Sequence, residues 1–165
     1  MATTFIPEGD HQRDYRHALA QFATGITVIT APTPEGGIGM TANSFASVSL
    51  DPALILWSAA KDSLRYPIFK QATHFAIHVL REDQFDIAKA FAKDTDALSL
   101  VSPRLNAANV PVFDACLARF ECRTEARHDA GDHTILVGAV ENVFLNDTGK
   151  PLIFSQHGYG TFQDA

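Results

Sequence analysis

The feature that most constrains the fold is a strict alternation of residue types in the second half of the chain. Between residues 116 and 123, Cys, Ala, Phe and Cys alternate with Leu, Arg, Glu and Arg. A period of two is that of a β-strand with one face in a core. We therefore predict a strand here, with a core face and a mostly charged face.

The other predicted strands are short apolar or β-branched runs that end at turn residues. Asp51-Pro52, Gly131-Asp132 and residues 146–149 are typical of tight turns, which join antiparallel strands. With the alternating segment, the predicted strands cover residues 26–30, 39–42, 45–50, 53–58, 74–80, 116–123, 133–145 and 151–155.

Three helices are predicted outside this run of strands. An amphipathic helix covers residues 15–23, a short helix begins after Asp62 or Ser63, and a third covers residues 85–92 behind an acidic first turn. Residues 93–114 lose periodicity and carry two prolines, so they form either a functional loop or an unrecognised element. The apolar positions that define the first helix are Tyr15, Leu19 and Phe22.

This order of elements predicts a mainly β fold, an antiparallel barrel with peripheral helices. The alternating βα units of a parallel sheet are missing, and so are the G-x-G-x-x-G and Walker phosphate loops. Any nucleotide must therefore be bound in another way. The 165 residues suit one domain, which we divide into a polar tail over residues 1–14 and a domain over 15–165.

The composition limits which partners and which cellular location we expect for the protein. The charge balance is 13 − 19 = −6 and the basic residues are scattered, so neither nucleic acid nor a membrane is an expected partner. No apolar run approaches the roughly 20 residues of a membrane span, and the first residues do not resemble a secretory signal. We expect a cytoplasmic protein.

Cys116 and Cys122, about 20 Å apart if they share one strand, are expected to be reduced core thiols.

Three segments carry candidate chemistry, each with an ordinary structural alternative. Residues 39–47 offer small donors and backbone amides to a planar heterocycle, or else form a polar edge strand. Residues 58–63 combine a lysine, two serines and a helix start into a phosphate cradle, or else a capped helix with a solvated lysine. Asp132 orients His133 at the barrel mouth, or else His133 is an ordinary turn histidine.

Two other kinds of site are not expected. His74 and His78 lie on one strand face but about 13 Å apart at strand rise, so they cannot share a metal ion. The sequence has no C-x-x-C or H-E-x-x-H, and we predict no metal. It also has no G-x-S-x-G motif to expose a nucleophilic serine, so we do not expect a serine hydrolase.

Taken together, the candidate segments resemble the short-chain flavin reductase family, the reductase components of two-component flavin-dependent monooxygenases. The resemblance runs from about Tyr15 to Tyr159. The sequence departs from it at His78, where the family commonly has Asn, and at Asn109-Val110-Pro111, where Gly-x-Pro is common. Residues 97–106 match the family little. The segments that carry the resemblance are 20–30, 39–52, 58–63, 75–80 with Asp83-Gln84, and 131–133.

The resemblance implies an FMN-binding split barrel and hydride transfer from C4 of NADH or NADPH to N5 of FMN or FAD. It also implies a homodimer that supplies reduced flavin, by diffusion, to a separate monooxygenase. No acid, base or nucleophile is expected, and His133 beside Asp132 would position the nicotinamide. The residues implied to line the flavin are Met40, Thr41, Ala42, Asn43, Ser44 and Ser47, with Ser58, Ala60, Lys61 and Ser63 around its phosphate.

Two alternatives remain open at this stage. One is a flavin-binding carrier module without hydride chemistry. The other is a flavoprotein that keeps its flavin bound and reduces another small acceptor.

Overall fold

A curled antiparallel sheet organises the protein, whose computed structural model describes residues 3–93 and 96–164. Short 3-10 turns lie at Gly9–His11 and Ala97–Val101. In chain order the elements are α1 (Gln12–Leu19), β1 (Thr24–Gly25), β2 (Thr27–Ala31), β3 (Ile38–Ala42), β4 (Ala46–Leu50), β5 (Ala53–Ala60), α2 (Tyr66–Gln71), β6 (His74–Val79), α3 (Phe85–Lys93), β7 (Arg104–Leu105), β8 (Pro111–Val112), β9 (Ala118–Ala130), β10 (His133–Leu145), β11 (Leu152–Ser155) and β12 (Gly158–Thr161).

The main sheet has the strand order β3-β2-β6-β9-β10-β5-β4. Its two edge strands, β3 and β4, follow each other in the chain and are separated only by residues 43–45. The four peptide steps from Ala42 to Ala46 reach at most about 14 Å. The sheet must therefore curl until its edges meet, as predicted for an antiparallel barrel. Smaller sheets, β1-β11-β12 and β7-β8, lie outside it.

The barrel interior is an aromatic and aliphatic core. Trp57 is fully buried, with the ring centroids of Phe69 and Phe75 at 5.2 and 6.2 Å. Gly138 makes this packing possible, because a Cβ there would lie 2.6 Å from the Phe75 ring and 2.9 Å from Cys122. A residue without a side chain is needed at this position because β10 lies so close to its neighbours.

A second core lies between the sheet and α3. Phe91 of α3 covers Gly39 of β3 so closely that a Cβ at Gly39 would clash with its ring. Thr41, on the same strand, donates a hydrogen bond of 2.6 Å to the carbonyl of Ala88 in α3. Helix α3 is therefore fixed against the outer surface of the edge strand β3.

His78 joins this second core to the loop that precedes β9. Its ring is fully buried and stacks on Phe113 with centroids 3.9 Å apart. Nδ1 donates to the carbonyl of Val28 at 3.1 Å, and Nε2 accepts from the N–H of Phe113 at 3.3 Å. Burial lowers the pKa of His78 from 6.5 to about 3, so the ring is neutral.

The predicted strand at residues 116–123 needs two corrections. Strand β9 begins at Ala118, so Cys116 lies before it in a turn. The strand also continues beyond residue 123, to Ala130. On its mostly charged face, Arg119 is buried. Its guanidinium lies 3.0 Å from Glu121 and 2.5 Å from Asp114, and it also donates to the carbonyl of Phe113. Two carboxylates and a carbonyl thus compensate for the hydration that the guanidinium loses when it is buried.

Both cysteines are free and buried, as expected for core thiols. Burial is the main cause that raises the pKa of Cys116 to about 11 and that of Cys122 to about 12. Cys122 packs in the barrel core and Cys116 in the core beneath α3. Each is therefore protonated and unreactive at neutral pH.

The first helix differs from its prediction. It starts at Gln12 and ends at Leu19, because the chain turns at Ala20 toward the small sheet. The predicted boundary between tail and domain, after residue 14, thus falls inside α1. The predicted apolar stripe is not buried: Tyr15 and Leu19 of α1, and Phe22 just after it, are all exposed. Residues 1 and 2 of the predicted tail, and residue 165, lie outside the described residues.

The other differences are local. Strands β1 and β12 were not predicted from the sequence. The irregular stretch 93–114 contains the 3-10 turn and the two-stranded β7-β8 sheet, while residues 94 and 95 lie outside the described residues. In the part of the chain that is described, no helix has the length and apolar character needed to cross a bilayer.

Candidate functional site

The predicted site residues gather where the barrel is open. Strand β4 pairs with β5 only as far as Leu56, so no strand covers the edge of β5 beyond Leu56. The outer edge of β3 is also unpaired among the described strands. Ser44 spans the gap: its Oγ accepts the N–H of Ser58 at 2.9 Å and donates to the Ser58 carbonyl at 3.2 Å. The split in the barrel thus contains two of the predicted residues.

The side chains of the edge segment point in different directions. Met40 and Ala42 pack against the barrel core, and Thr41 faces α3. For these three residues, a ligand at the split would meet the backbone. Asn43 and Ser47 are exposed, and no side-chain hydrogen bond holds either of them in the described part of the protein. In this segment, these two side chains and the unpaired edge of β3 can donate to or accept from a ligand.

Lys61 follows β5 and lies against the turn between β9 and β10. Its backbone N–H donates to the carbonyl of Asp132 at 2.9 Å. The ammonium donates to Asp129 and, at 2.6 Å, to the carbonyl of Gly131. The hydrogen bond with Asp129 raises the pKa of Lys61, and the same bond lowers the pKa of Asp129. Lys61 is therefore an ordered cation with a carboxylate partner, not the solvated lysine of the alternative interpretation.

The helix predicted beside Lys61 begins later than expected. Residues 63–66 first form a turn, in which Tyr66 N–H bonds to the Ser63 carbonyl at 3.0 Å. Helix α2 starts at Tyr66, with Pro67 in its first turn, and has six residues. The helix amides predicted to join the phosphate cradle are thus displaced from Lys61. The Ser63 hydroxyl accepts a bond of 3.2 Å from the N–H of Arg65.

Asp132 and His133 form the hydrogen-bonded pair that the sequence suggested. Nδ1 of His133 lies 2.7 Å from the Asp132 carboxylate. This contact lowers the pKa of Asp132 and holds the His133 ring with Nδ1 as donor. His133 is the first residue of β10 and pairs with Ala60 on β5. The histidine is therefore next to the end of β5, which contains Ser58 and Ala60 and is followed by Lys61.

A cavity of about 490 Å³ adjoins Lys61. Apart from Lys61, its lining residues were not predicted from the sequence, because they come from distant segments and belong to no motif. Tyr66 and Thr134 join their hydroxyls at 2.7 Å across it. The lining residues are Lys61, Tyr66, Lys70, Arg127, Asp129 and Thr134.

The site offers several groups that can bind a ligand. Its edge presents free backbone groups and short polar side chains, followed by an ordered lysine and an oriented histidine. Among the described residues, no group of three or more His, Cys, Asp or Glu side chains could hold a metal ion. Such a surface suits a flat polar ring with an anionic tail.

Comparisons with known proteins agree with this geometry. A family model described as a flavin reductase like domain matches residues 19–163. The FMN reductase (NADH) SmoA of Agrobacterium fabrum is 54% identical over 158 residues, which are 96% of this chain and 90% of that protein. The reductase component of 4-hydroxyphenylacetate 3-monooxygenase from Thermus thermophilus is 36% identical, over 88% of this chain and 93% of that protein. Some other curated relatives are longer, and the chain spans less than half of their length.

Solved structures give the same result. The NADH:FAD oxidoreductase SgcE6 of Streptomyces globisporus has a TM-score of 0.91 at 31% identity, covering 100% of this chain and 94% of that one. It has also been solved in complex with NAD and FAD fragments. Since the family model covers most of the chain and these relatives align along nearly its whole length, the chain belongs to the flavin reductase-like family.

Proposed function

We propose that this protein is an NAD(P)H:flavin oxidoreductase that supplies reduced flavin to a separate monooxygenase. The observation that carries the proposal is the open barrel edge with an ordered lysine and an Asp132–His133 pair at one end. SmoA and SgcE6 are both named as NADH-dependent enzymes, which supports NADH as the donor. Their names differ in the flavin, so FMN and FAD both remain candidates.

The residues fit a flavin in three respects. The unpaired edge of β3 can bond the polar rim of a planar ring, as can Asn43 and Ser47. The Lys61 ammonium, held beside the turn between β9 and β10, would give a phosphate charge-assisted hydrogen bonds, and Ser58 lies three positions before it in the chain. Met40 and Ala42 stiffen the edge by packing into the core.

The protein's part in the reaction is positioning. When bound together, the reduced nicotinamide supplies a hydride from C4 and the flavin accepts it at N5. The Asp132 carboxylate fixes the His133 ring and leaves Nε2 to accept a hydrogen bond, which suits the carboxamide of a nicotinamide. Asp129 and Gly131 hold the Lys61 ammonium in place, and its remaining N–H can donate to a phosphate.

The test is anaerobic reduction of flavin. NADH added under nitrogen to the protein with FMN or FAD should bleach the visible absorbance of the flavin. Persistent colour would contradict the proposal and would favour the carrier alternative. Flavin that bleaches but stays bound during gel filtration would instead favour a flavoprotein that reduces another acceptor.

His133→Ala tests the positioning role. We expect a higher KM for NADH with a smaller change in kcat, because no proton transfer depends on the ring. His128→Ala is the matched control, since His128 is an exposed histidine of the same hairpin. Unchanged steady-state parameters in His133→Ala would remove His133 from the site.

The partner is proposed to be a flavin-dependent monooxygenase that receives reduced flavin by diffusion. The Thermus relative is named as a reductase component of such a system. A monooxygenase separated from the reductase by a dialysis membrane should still turn over when NADH and flavin are present on the reductase side. No turnover across the membrane would mean that transfer needs a complex.

We further propose that the protein is a homodimer in the cytoplasm. Exposed apolar side chains support a buried subunit contact: Leu50 is 96% exposed, and Val48, Val143 and Leu145 also face solvent in the single chain. Light scattering should give about twice 17.9 kDa, and a monomer mass would contradict the dimer. Fractionation of cells with an antibody against the protein tests the location.

A further inference from the structure

The cavity beside Lys61 has a charge opposite to that of the whole protein. Lys61, Lys70 and Arg127 line it together with a single carboxylate, that of Asp129. Its lining therefore carries 3 − 1 = +2 charges, whereas the chain carries −6. A local excess of cations on an acidic protein attracts anions to one place.

Two of the three cations, Lys70 and Arg127, have no direct ion-pair partner in the part of the chain that is described. Asp129 is bonded to Lys61. Among the described residues, no carboxylate lies within 4.0 Å of the charged groups of Lys70 or Arg127 in an ion pair. The Lys70 ammonium instead lies 5.7 Å from the centre of the Tyr66 ring, which leaves its N–H donors available.

Arg127 is held in one orientation by backbone groups. Its Nε donates to the carbonyl of Lys70 at 2.6 Å, and one terminal nitrogen donates to the carbonyl of Ala72 at 2.7 Å. These two bonds use part of the five N–H donors of the guanidinium and fix its plane. The other N–H groups remain for an anion, and an ordered guanidinium suits a phosphate group.

We propose that this cavity binds the diphosphate of a dinucleotide, with Lys70 and Arg127 as the recognising cations. The inference rests on the proposed function, in which Lys61 holds the flavin phosphate. Lys61 is shared by the phosphate cradle and the cavity, so a phosphate next in line would enter the cavity. Two ligands carry such a diphosphate, FAD and the nicotinamide dinucleotide, whereas FMN carries one phosphate.

The test compares ligands with one and two phosphates on Lys70→Met and on Lys70→Met combined with Arg127→Gln. Methionine keeps an apolar stem over Tyr66 and removes the charge. Lys89→Met is the matched control, because Lys89 also lies over an aromatic ring, 5.1 Å from the centre of Phe85, but outside the cavity. Dissociation constants of FMN and FAD are measured by flavin fluorescence and that of inorganic pyrophosphate by calorimetry.

We expect pyrophosphate to bind about three- to tenfold more weakly for each cation removed, and Lys89→Met to behave as wild type. Weaker FAD binding with unchanged FMN binding would identify the flavin as the source of the diphosphate. A higher KM for NADH with unchanged KM for reduced nicotinamide mononucleotide, and with unchanged FAD binding, would identify the nicotinamide. Added salt should weaken the affected ligand most.

Other outcomes would overturn the inference. If pyrophosphate binds the double variant as well as it binds wild type, the cavity is not a diphosphate site. Equal weakening of FMN and FAD, with riboflavin unchanged, would assign Lys70 and Arg127 to the first phosphate instead. Failure of the wild-type protein to reduce any flavin would refute the proposed function, while the pyrophosphate titration would still decide the character of the cavity. Urea unfolding of each variant confirms that it is folded.

Discussion

Replacing His78 with asparagine should remove much of the protein's sensitivity to mild acid. The neutral ring of His78 uses both nitrogens, donating to Val28 and accepting from Phe113. A protonated ring would carry a second N–H directed at the N–H of Phe113 and would be charged in a fully buried place. Desolvation is accordingly the largest cause of its pKa of about 3.

The magnitude follows from proton linkage. The pKa of His78 is lower in the folded state, about 3, than its ordinary value of 6.5 in the unfolded chain. Above pH 6.5 neither state binds the proton, so stability is unaffected. As the pH falls from 6.5 toward 3, only the unfolded state binds it, and the free energy of unfolding drops by about 1.4 kcal/mol per pH unit. About 2 kcal/mol should therefore be lost by pH 5.

The assay is urea unfolding from pH 8 to pH 5, followed by fluorescence. Trp57 is the single tryptophan and is buried in the barrel core, so its emission reports global unfolding. Asparagine keeps one donor and one acceptor but does not titrate. Wild type should lose about 2 kcal/mol more than His78→Asn over this range at equal protein concentration. Equal losses in the two proteins would refute the assignment of a neutral, buried His78.

Three further substitutions test the packing and the open edge. Gly138→Ala should destabilise by about 1–3 kcal/mol, because the new methyl group would overlap the Phe75 ring; a urea midpoint equal to that of wild type would contradict this. Arg119→Met should cost about 3 kcal/mol, since two carboxylates lose their buried cation, and thermal unfolding measures the loss. Ser44→Ala should cost about 1 kcal/mol through the unpaired N–H of Ser58 and should weaken flavin binding, which fluorescence quenching would show; undiminished binding would mean that the split does not hold the flavin.

The local elements of the barrel could be predicted because their signals are local. β-branched runs and turn residues gave the strands from β2 to β6 to within one or two residues. The Asp132–His133 contact was predictable for the same reason, since the two residues are neighbours and share a turn. Other features of the structure could not be predicted from such patterns, because they depend on the register between strands that are far apart in the chain.

Arg119 and α1 illustrate the limit. The alternation in β9 placed Arg119 on the mostly charged face, but the chain before β9 folds back and covers it, which no periodicity reports. In α1 the spacing of apolar residues correctly indicated a helix, while the same residues remain exposed in the single chain. The cavity cations behave similarly: Lys70 and Arg127 are 57 positions apart and meet only because β9 passes α2.

The three-residue crossing from β3 to β4 has a consequence for assembly. The open edge is flanked by β3, at one end of the sheet order, and by β5, next to the other end. All the strand pairings between β3 and β5 must therefore form before this edge is complete. No partly folded intermediate can then contain a finished ligand pocket. Recovery of flavin affinity during refolding should therefore lag behind, or coincide with, the last strand pairing, and a bound flavin would retard the opening of any strand between them.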